Sequence, residues 1–276
     1  MRATLFVLTI LALTASPAIA QQYATQQKPA KEKPDWLVGL GAGAVVAPAF
    51  EGSNDYNLMI FPDVRVTYKD KFFASVPEGI GYNVINQNGW RAGPIGKIRW
   101  GREEDGGSPW RVAGPETSAL RGLGDVDTGF EMGVFGEYTW QHHYATKLEL
   151  RRGVGAHEAY IVDVDMKYKN KYGDIGYAVG PRLTWASEDY HDTYFGVNAA
   201  QSARSGLVRY NPDSGVVSYG LSGFATMPIT EQLRGNLFAG YDLMGSEPSD
   251  SPLIDQRGSE HQFMTGVGVT YYFGFN

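Results

Sequence analysis

The chain has no cysteine, so its fold is held without disulfides, although small exported domains often rely on them. Past residue 20 it has no run of eighteen or more apolar residues, and no membrane-spanning helix is predicted. It has no Lys/Arg cluster, and acidic residues outnumber basic ones by 30 to 24, a balance that argues against a nucleic-acid partner. The most informative absence is local. Along most of the chain, charge is missing from every second residue.

Val126 to Trp140 shows the pattern. One parity reads Val126, Thr128, Phe130, Met132, Val134, Gly136, Tyr138, Trp140; the other reads Asp127, Gly129, Glu131, Gly133, Phe135, Glu137, Thr139. Successive side chains of a strand point to opposite faces, so one face is apolar and the other ionic. A soluble sheet buries the apolar face, whereas a membrane barrel turns it to lipid and keeps the ions inside.

The N-terminus sets the compartment, and together with the loop asymmetry and the aromatic strand ends it favours the barrel. Arg2, the apolar run Leu5 to Leu13 and Ala18-Ile19-Ala20 form a secretory signal peptide over 1–20. Arg2 is its only charge, which leaves 23 Lys+Arg against 30 Asp+Glu in the exported chain. Residues 21–35 hold four Gln, three Lys and two Pro and read as a disordered periplasmic tether. Residues 36–276 carry the alternation to the end and read as one domain. Glycine, 35 residues, suits tight turns and a crowded barrel interior.

Parity predicts twelve strands of an up-and-down β-barrel. They begin near Trp36, Leu58, Phe72, Ile80, Trp90, Val126, Tyr144, Val162, Ile175, Val217, Leu233 and His261. A ten-strand wall with other pairing around 70–90 is the alternative. Short periplasmic turns are expected at 69–71, 86–89, 141–143, 169–173 and 228–231. Long polar extracellular loops are expected at 101–125, 186–215 and 244–260. Trp36, Trp90, Trp100, Trp140, Trp185, Tyr271 and Phe273 lie near strand ends, where aromatic girdles sit.

The ionic parity predicts a lumen lined by Asp63, Arg65, Arg91, Lys97, Arg99, Asp127, Glu131, Glu137, Lys147, Glu149, Arg151, Asp163, Asp165, Lys167, Arg182, Arg234 and Asp242. An Arg or Lys at the lipid midplane costs roughly 2–4 kcal/mol, which explains the empty apolar parity. Nine bases against eight acids favour ion pairs across the lumen over the one-sided ring of an ion-selective pore.

No catalytic, cofactor-binding or metal-binding residue is assigned. Asp163-x-Asp165 has the oxygen ligands for a divalent cation but lies beside Lys167, and such cages need six or more ligands. His142-His143 falls in a turn. Glu158 beside His157, Asp189 near His191 and Asp192, and Glu260 beside His261 map to the outer rim, where acid–histidine sets could activate water. The lipid-facing parity offers no His for a lipase dyad. The glycines of Gly39 to Gly43 alternate within a strand and do not open a helix, so they form no phosphate loop.

Several stretches resemble the MipA/OmpV family. They are Gly39-Leu40-Gly41-Ala42-Gly43 leading to Pro48-Ala49-Phe50-Glu51-Gly52-Ser53, then Phe72-Phe73-Ala74-Ser75, Gly79-Ile80-Gly81-Tyr82-Asn83 and Leu120 to Val126. Gly180-Pro181-Arg182-Leu183-Thr184-Trp185-Ala186 followed by Tyr194-Phe195-Gly196-Val197 is the most specific. Ser251-Pro252-Leu253-Ile254 and Gly266 to Phe273 complete the likeness. The chain departs from it in running past Phe273 to Gly274-Phe275-Asn276. The resemblance implies an outer-membrane barrel of a Gram-negative envelope. It also implies a scaffold for a murein lytic transglycosylase and a murein synthase, with a narrow porin or an adhesin as alternatives. It brings no catalytic residues. An extracellular-rim hydrolase is the third reading, from the rim histidines alone.

Overall fold

The computed structural model describes residues 34–108 and 110–276. The signal peptide and all but the last two residues of the tether lie outside the described residues. The wall strands are β1 (Trp36–Pro48), β2 (Tyr56–Tyr68), β3 (Phe72–Ser75), β4 (Gly79–Tyr82), β5 (Trp90–Arg99) and β6 (Gly129–Trp140). They continue as β7 (Tyr144–Val154), β8 (Tyr160–Tyr172), β9 (Ile175–Ala186), β10 (Gly215–Pro228), β11 (Leu233–Met244) and β12 (His261–Phe275). Each pairs antiparallel with the next, and β1 pairs with β12 from Trp36↔Phe275 to Val46↔Thr265, which closes the ring. The fold is therefore a closed twelve-strand antiparallel barrel. Two shorter strands sit beside the wall: Ile85–Gln87 on β5 and Arg111–Ala113 on β2.

The alternation decides which way each strand faces. On β6, Phe130, Met132 and Val134 are exposed, while Glu131, Phe135 and Glu137 on the other parity are buried. Leu40, Ile60, Leu148, Met166, Leu221, Leu237 and Val267 continue the exposed apolar belt around the barrel. At the seam, a Cβ on Gly41 would stand 2.0 Å from the Val269 carbonyl. Only glycine lets β1 and β12 approach so closely.

One end carries tight turns. Lys69 and Asp70, Asn88 and Gly89, and Gln141 and His142 all have positive φ, the geometry of two-residue hairpins that match strand twist. The predicted turn at 169–173 is shorter than expected. β8 continues to Tyr172 and β9 begins at Ile175, so Lys169 belongs to the wall. The predicted turn at 86–89 is a small hairpin, with Gln87 paired to Trp90.

The other end is not the set of solvated polar loops that the composition suggests. The loops hold four short helices: α1 (Glu188–Phe195), α2 (Ala199–Ser205), α3 (Ser246–Ser249) and α4 (Pro252–Arg257). Five of the six connections at this end meet in one apolar cluster, the short turn at 76–78 being the exception. Phe50, Leu120, Leu123, Ala159, Tyr190, Phe195, Leu207, Leu253 and Ile254 pack there on Ile161, Ala186, Val217 and Met244 at the wall's outer ends. Asn198 caps α2 by accepting from the Ala200 and Gln201 N–H groups. Arg257 donates to the carbonyls of Ala119, Arg121 and Ser205, tying three loops together.

Candidate functional site

Inside the wall, the ionic residues stand close enough to form connected pairs. Arg99 Nε donates to Glu131 at 2.7 Å. Arg151 bonds Glu131 and Asp163, and its Nε lies 3.2 Å from Glu149. Lys97 and Lys147 each reach Glu149 at 2.6 Å. Thr184 Oγ1 donates to Asp163 at 2.7 Å. Five strands, β5 to β9, thus share one ionic lattice. Ions taken from water are stable only when neighbours replace the lost solvation, and shared carboxylates let each cation be counted twice.

Three smaller groups continue it. Glu137 lies between Arg91 at 3.5 Å and Lys169 at 3.2 Å. Arg182 bonds Asp242 across β9 and β11, while Lys167 reaches Asp165 at 3.3 Å, the Gly180 carbonyl and Ser222. Arg65 donates to Asp63, which also accepts from Thr270. Arg234 lies 5.7 Å from the Tyr272 ring. Asp127 is placed apart from the others. It is exposed and precedes β6, because Val126 turns back to bridge Arg102. Parity reasoning missed Lys169, which it placed in a turn, and buried Glu78, which it placed in a strand interruption. The alternation of charge could have been followed four residues further along β8.

Aromatic groups fill between the ions. Phe73 and Phe135 meet edge-on at 5.7 Å, with the Arg91 guanidinium 5.8 Å from the first ring and the Lys147 ammonium 5.6 Å from the second. Cations on aromatic faces are favoured when water is excluded. The lattice then climbs into the cap. Arg99 stacks 5.2 Å from Tyr190, whose hydroxyl donates to Glu51 at 2.6 Å.

The acid–histidine groups of the rim do not converge. His157 is buried 3.6 Å from Glu131, while Glu158 turns outward to Arg152 at 3.3 Å. His191 is buried with Nε2 3.2 Å from the Gly215 carbonyl, and burial lowers its pKa. His261 is exposed, between Tyr241 Oη at 2.6 Å and Glu260 at 3.5 Å. In the Asp163-x-Asp165 pair, each carboxylate has a cation beside it. His142 lies in a turn, and His143 Nδ1 is 3.0 Å from the Lys169 carbonyl. A cavity of about 680 Å³ opens on the loop surface beside Asp55, Thr117, Arg121, Arg204 and Arg257.

A family model described as MltA-interacting protein MipA matches residues 40–273. The "Putative outer membrane protein YiaT" of Escherichia coli (strain K12) is 31% identical over 108 residues, 39% of this chain and 43% of that protein. The "MltA-interacting protein" of Escherichia coli (strain K12) is 32% identical over 111 residues, 40% of this chain and 43% of that protein. The chain thus matches less than half the length of these curated relatives. Among solved structures, the NanC porin aligns at TM-score 0.42 and 11% identity, over 86% of this chain and 98% of that one. An outer membrane channel from Pseudomonas putida F1 aligns at TM-score 0.46 and 11% identity, over 88% and 97%.

Proposed function

This chain belongs to the MltA-interacting protein MipA family, and from that premise we propose that it is a non-catalytic scaffold of the outer membrane. It holds a murein lytic transglycosylase, and with it a murein synthase, at the periplasmic face of the barrel. The relative named for MltA supports the first partner. The observation that carries the reading is the pairing of charge inside the wall. Glu131, Glu149 and Arg151 spend their bonding capacity on one another, which suits a rigid anchor better than a wide solute channel.

The short turns offer a partner little surface, so the contact is assigned to residues 21–35 with Lys28, Lys31 and Lys33. The test is retention of purified murein lytic transglycosylase on the immobilised full chain, compared with a chain lacking 21–35. The reading expects retention by the first and its loss in the second. Absence of retention by the full chain overturns the scaffold. Equal retention by both moves the contact to the turns.

A further inference from the structure

One arc of the wall is built to partial height. β3 and β4 have 4 residues each, against 13 in β2 and 10 in β5 on either side. At ~3.3 Å per residue the hairpin rises about 13 Å, which leaves its turn well short of the outer rim. β2 pairs with β3 over Arg65–Tyr68 and with the short strand at Leu58 and Met59. Among the described residues, no pairing joins Phe61–Val64 on that side. β5 pairs with β4 at Ile95 and Gly96, and among the described residues no strand pairs with Lys97–Arg99 on that side. The turn at 76–78 is thus the floor of a notch that faces the outer half of the membrane.

The sequence is adapted to this notch. An unsatisfied backbone group in lipid costs several kcal/mol. Ile60 N–H satisfies itself on the Trp110 carbonyl at 2.9 Å. Strand alternation brings the next amide on that edge to position 62, which is proline and has no N–H to strand. Trp110 stands across the opening, its ring 5.4 Å from inward-facing Phe61 and 6.0 Å from Trp100 beyond the end of β5.

Three polar atoms here are buried without a partner: Trp110 Nε1, Glu78 Oε1 at the floor, and Arg65 Nη1 beside it on β2. Glu78 and Arg65 are 4% and 5% exposed, so one carboxylate oxygen and one arm of a guanidinium whose Nε bonds Asp63 are held without a hydrogen-bond partner. Meanwhile five outer loops pack together in the apolar cluster at the axial mouth.

We propose that the notch is a lateral portal for a membrane amphiphile with a zwitterionic headgroup. The ammonium of the headgroup meets Glu78 and its phosphate meets Arg65. The acyl chain stays against Phe61, Trp100 and Trp110, continuous with the bilayer. This inference is independent of the scaffold reading.

The full chain is reconstituted in phosphatidylglycerol vesicles, whose headgroup carries no ammonium, with p-benzoylphenylalanine placed at Phe61, inside the notch, or at Thr184, on the opposite arc of the wall. Heat-modifiable gel mobility confirms folding, and Met59, inward on the same strand, replaces Phe61 if that form does not fold. Lysophosphatidylethanolamine is added, and photo-adducts are read by mass spectrometry. The portal requires an adduct at Phe61 several-fold above that at Thr184. It also requires a further rise with Trp110→Ala and a several-fold fall with Glu78→Gln. Equal labelling at the two positions, or none at Phe61, overturns the portal. Palmitate, which has no ammonium, labels Phe61 weakly and without response to Glu78→Gln. If palmitate labels as well as the lysolipid, the headgroup assignment is overturned.

Discussion

Arg151 is the residue on which the interior most depends. It bonds Glu131 and Asp163 and lies against Glu149, so its removal takes the cation from Asp163 and leaves Glu131 and Glu149 to Arg99, Lys97 and Lys147 alone. Breaking a buried ion pair by deleting one partner costs about 3–5 kcal/mol, and Arg151→Ala is expected to lose at least that in urea unfolding followed by tryptophan fluorescence. Arg151→Lys is expected to recover only part, because one ammonium does not reproduce a two-pronged guanidinium. In the cap, burial lowers the His191 pKa, against the weaker pull of Glu51 and Glu247. Burial also raises Tyr194 to about 12 and raises Tyr190 well above its ordinary value. The unfolded histidine therefore binds protons more readily than the folded one, and its stabilisation is full above about pH 6.5 and falls as pH drops. For the tyrosines the unfolded form ionises first, so their contribution falls as pH rises above about 10. Protease nicking of the loop at 187–214 is expected to be lowest between those limits, and His191→Asn is expected to remove its acid arm. Nicking that is flat from pH 5 to 8 in the unaltered chain would contradict this.

At the level of elements, the two-residue period was enough to place all twelve wall strands, because lipid outside and ions inside impose opposite chemistry on adjacent positions. The cap was invisible to the same logic. Leu120, Leu123, Leu253 and Ile254 are spaced among Gly, Ser, Pro and Arg with no period, and five separate loops must come together before they have anything to bury against. Prolines carried more information than parity reasoning extracted. Pro62 lies at the notch. Pro94 lies on β5 between its pairings with β4 and with Ile85–Gln87. Pro181 falls where the β8–β9 ladder skips from Asp165↔Arg182 to Tyr168↔Val179. Each marks a place where a donor would have no acceptor. Pro62→Ala is therefore expected to destabilise the barrel by roughly 1–3 kcal/mol, the cost of an unmet buried donor. Urea unfolding of the variant in the same vesicles measures it, and a gain in stability would mean that the edge of β2 has a partner after all.

For the whole molecule, the question is what a membrane barrel achieves when its lumen is laced with ion pairs and its outer loops pack together at the mouth. Near-equal numbers of acids and bases on the inner face cancel in pairs. The apolar cluster of the cap sits directly on that lattice through Arg99 and Tyr190. Cap and lumen thus form one packed body enclosed by the wall, and loosening either exposes the other to water. Two obstacles in series predict an electrically quiet protein. In planar-bilayer recording the full chain is expected to give no sustained single-channel steps of porin size. A chain lacking α2 (Ala199–Ser205) loses the bonds from Gln201 to the Leu123 carbonyl and from Arg204 to the Gly122 carbonyl, and so one of the ties between two outer loops. With the cap loosened and the ionic lattice intact, it is expected to show at most brief, small currents. Adding Arg151→Ala to that deletion is expected to lengthen them, because the lattice is then broken too. Large sustained steps from the unaltered chain would reverse the inference from paired charge and make solute passage, not anchorage, the property that the interior serves.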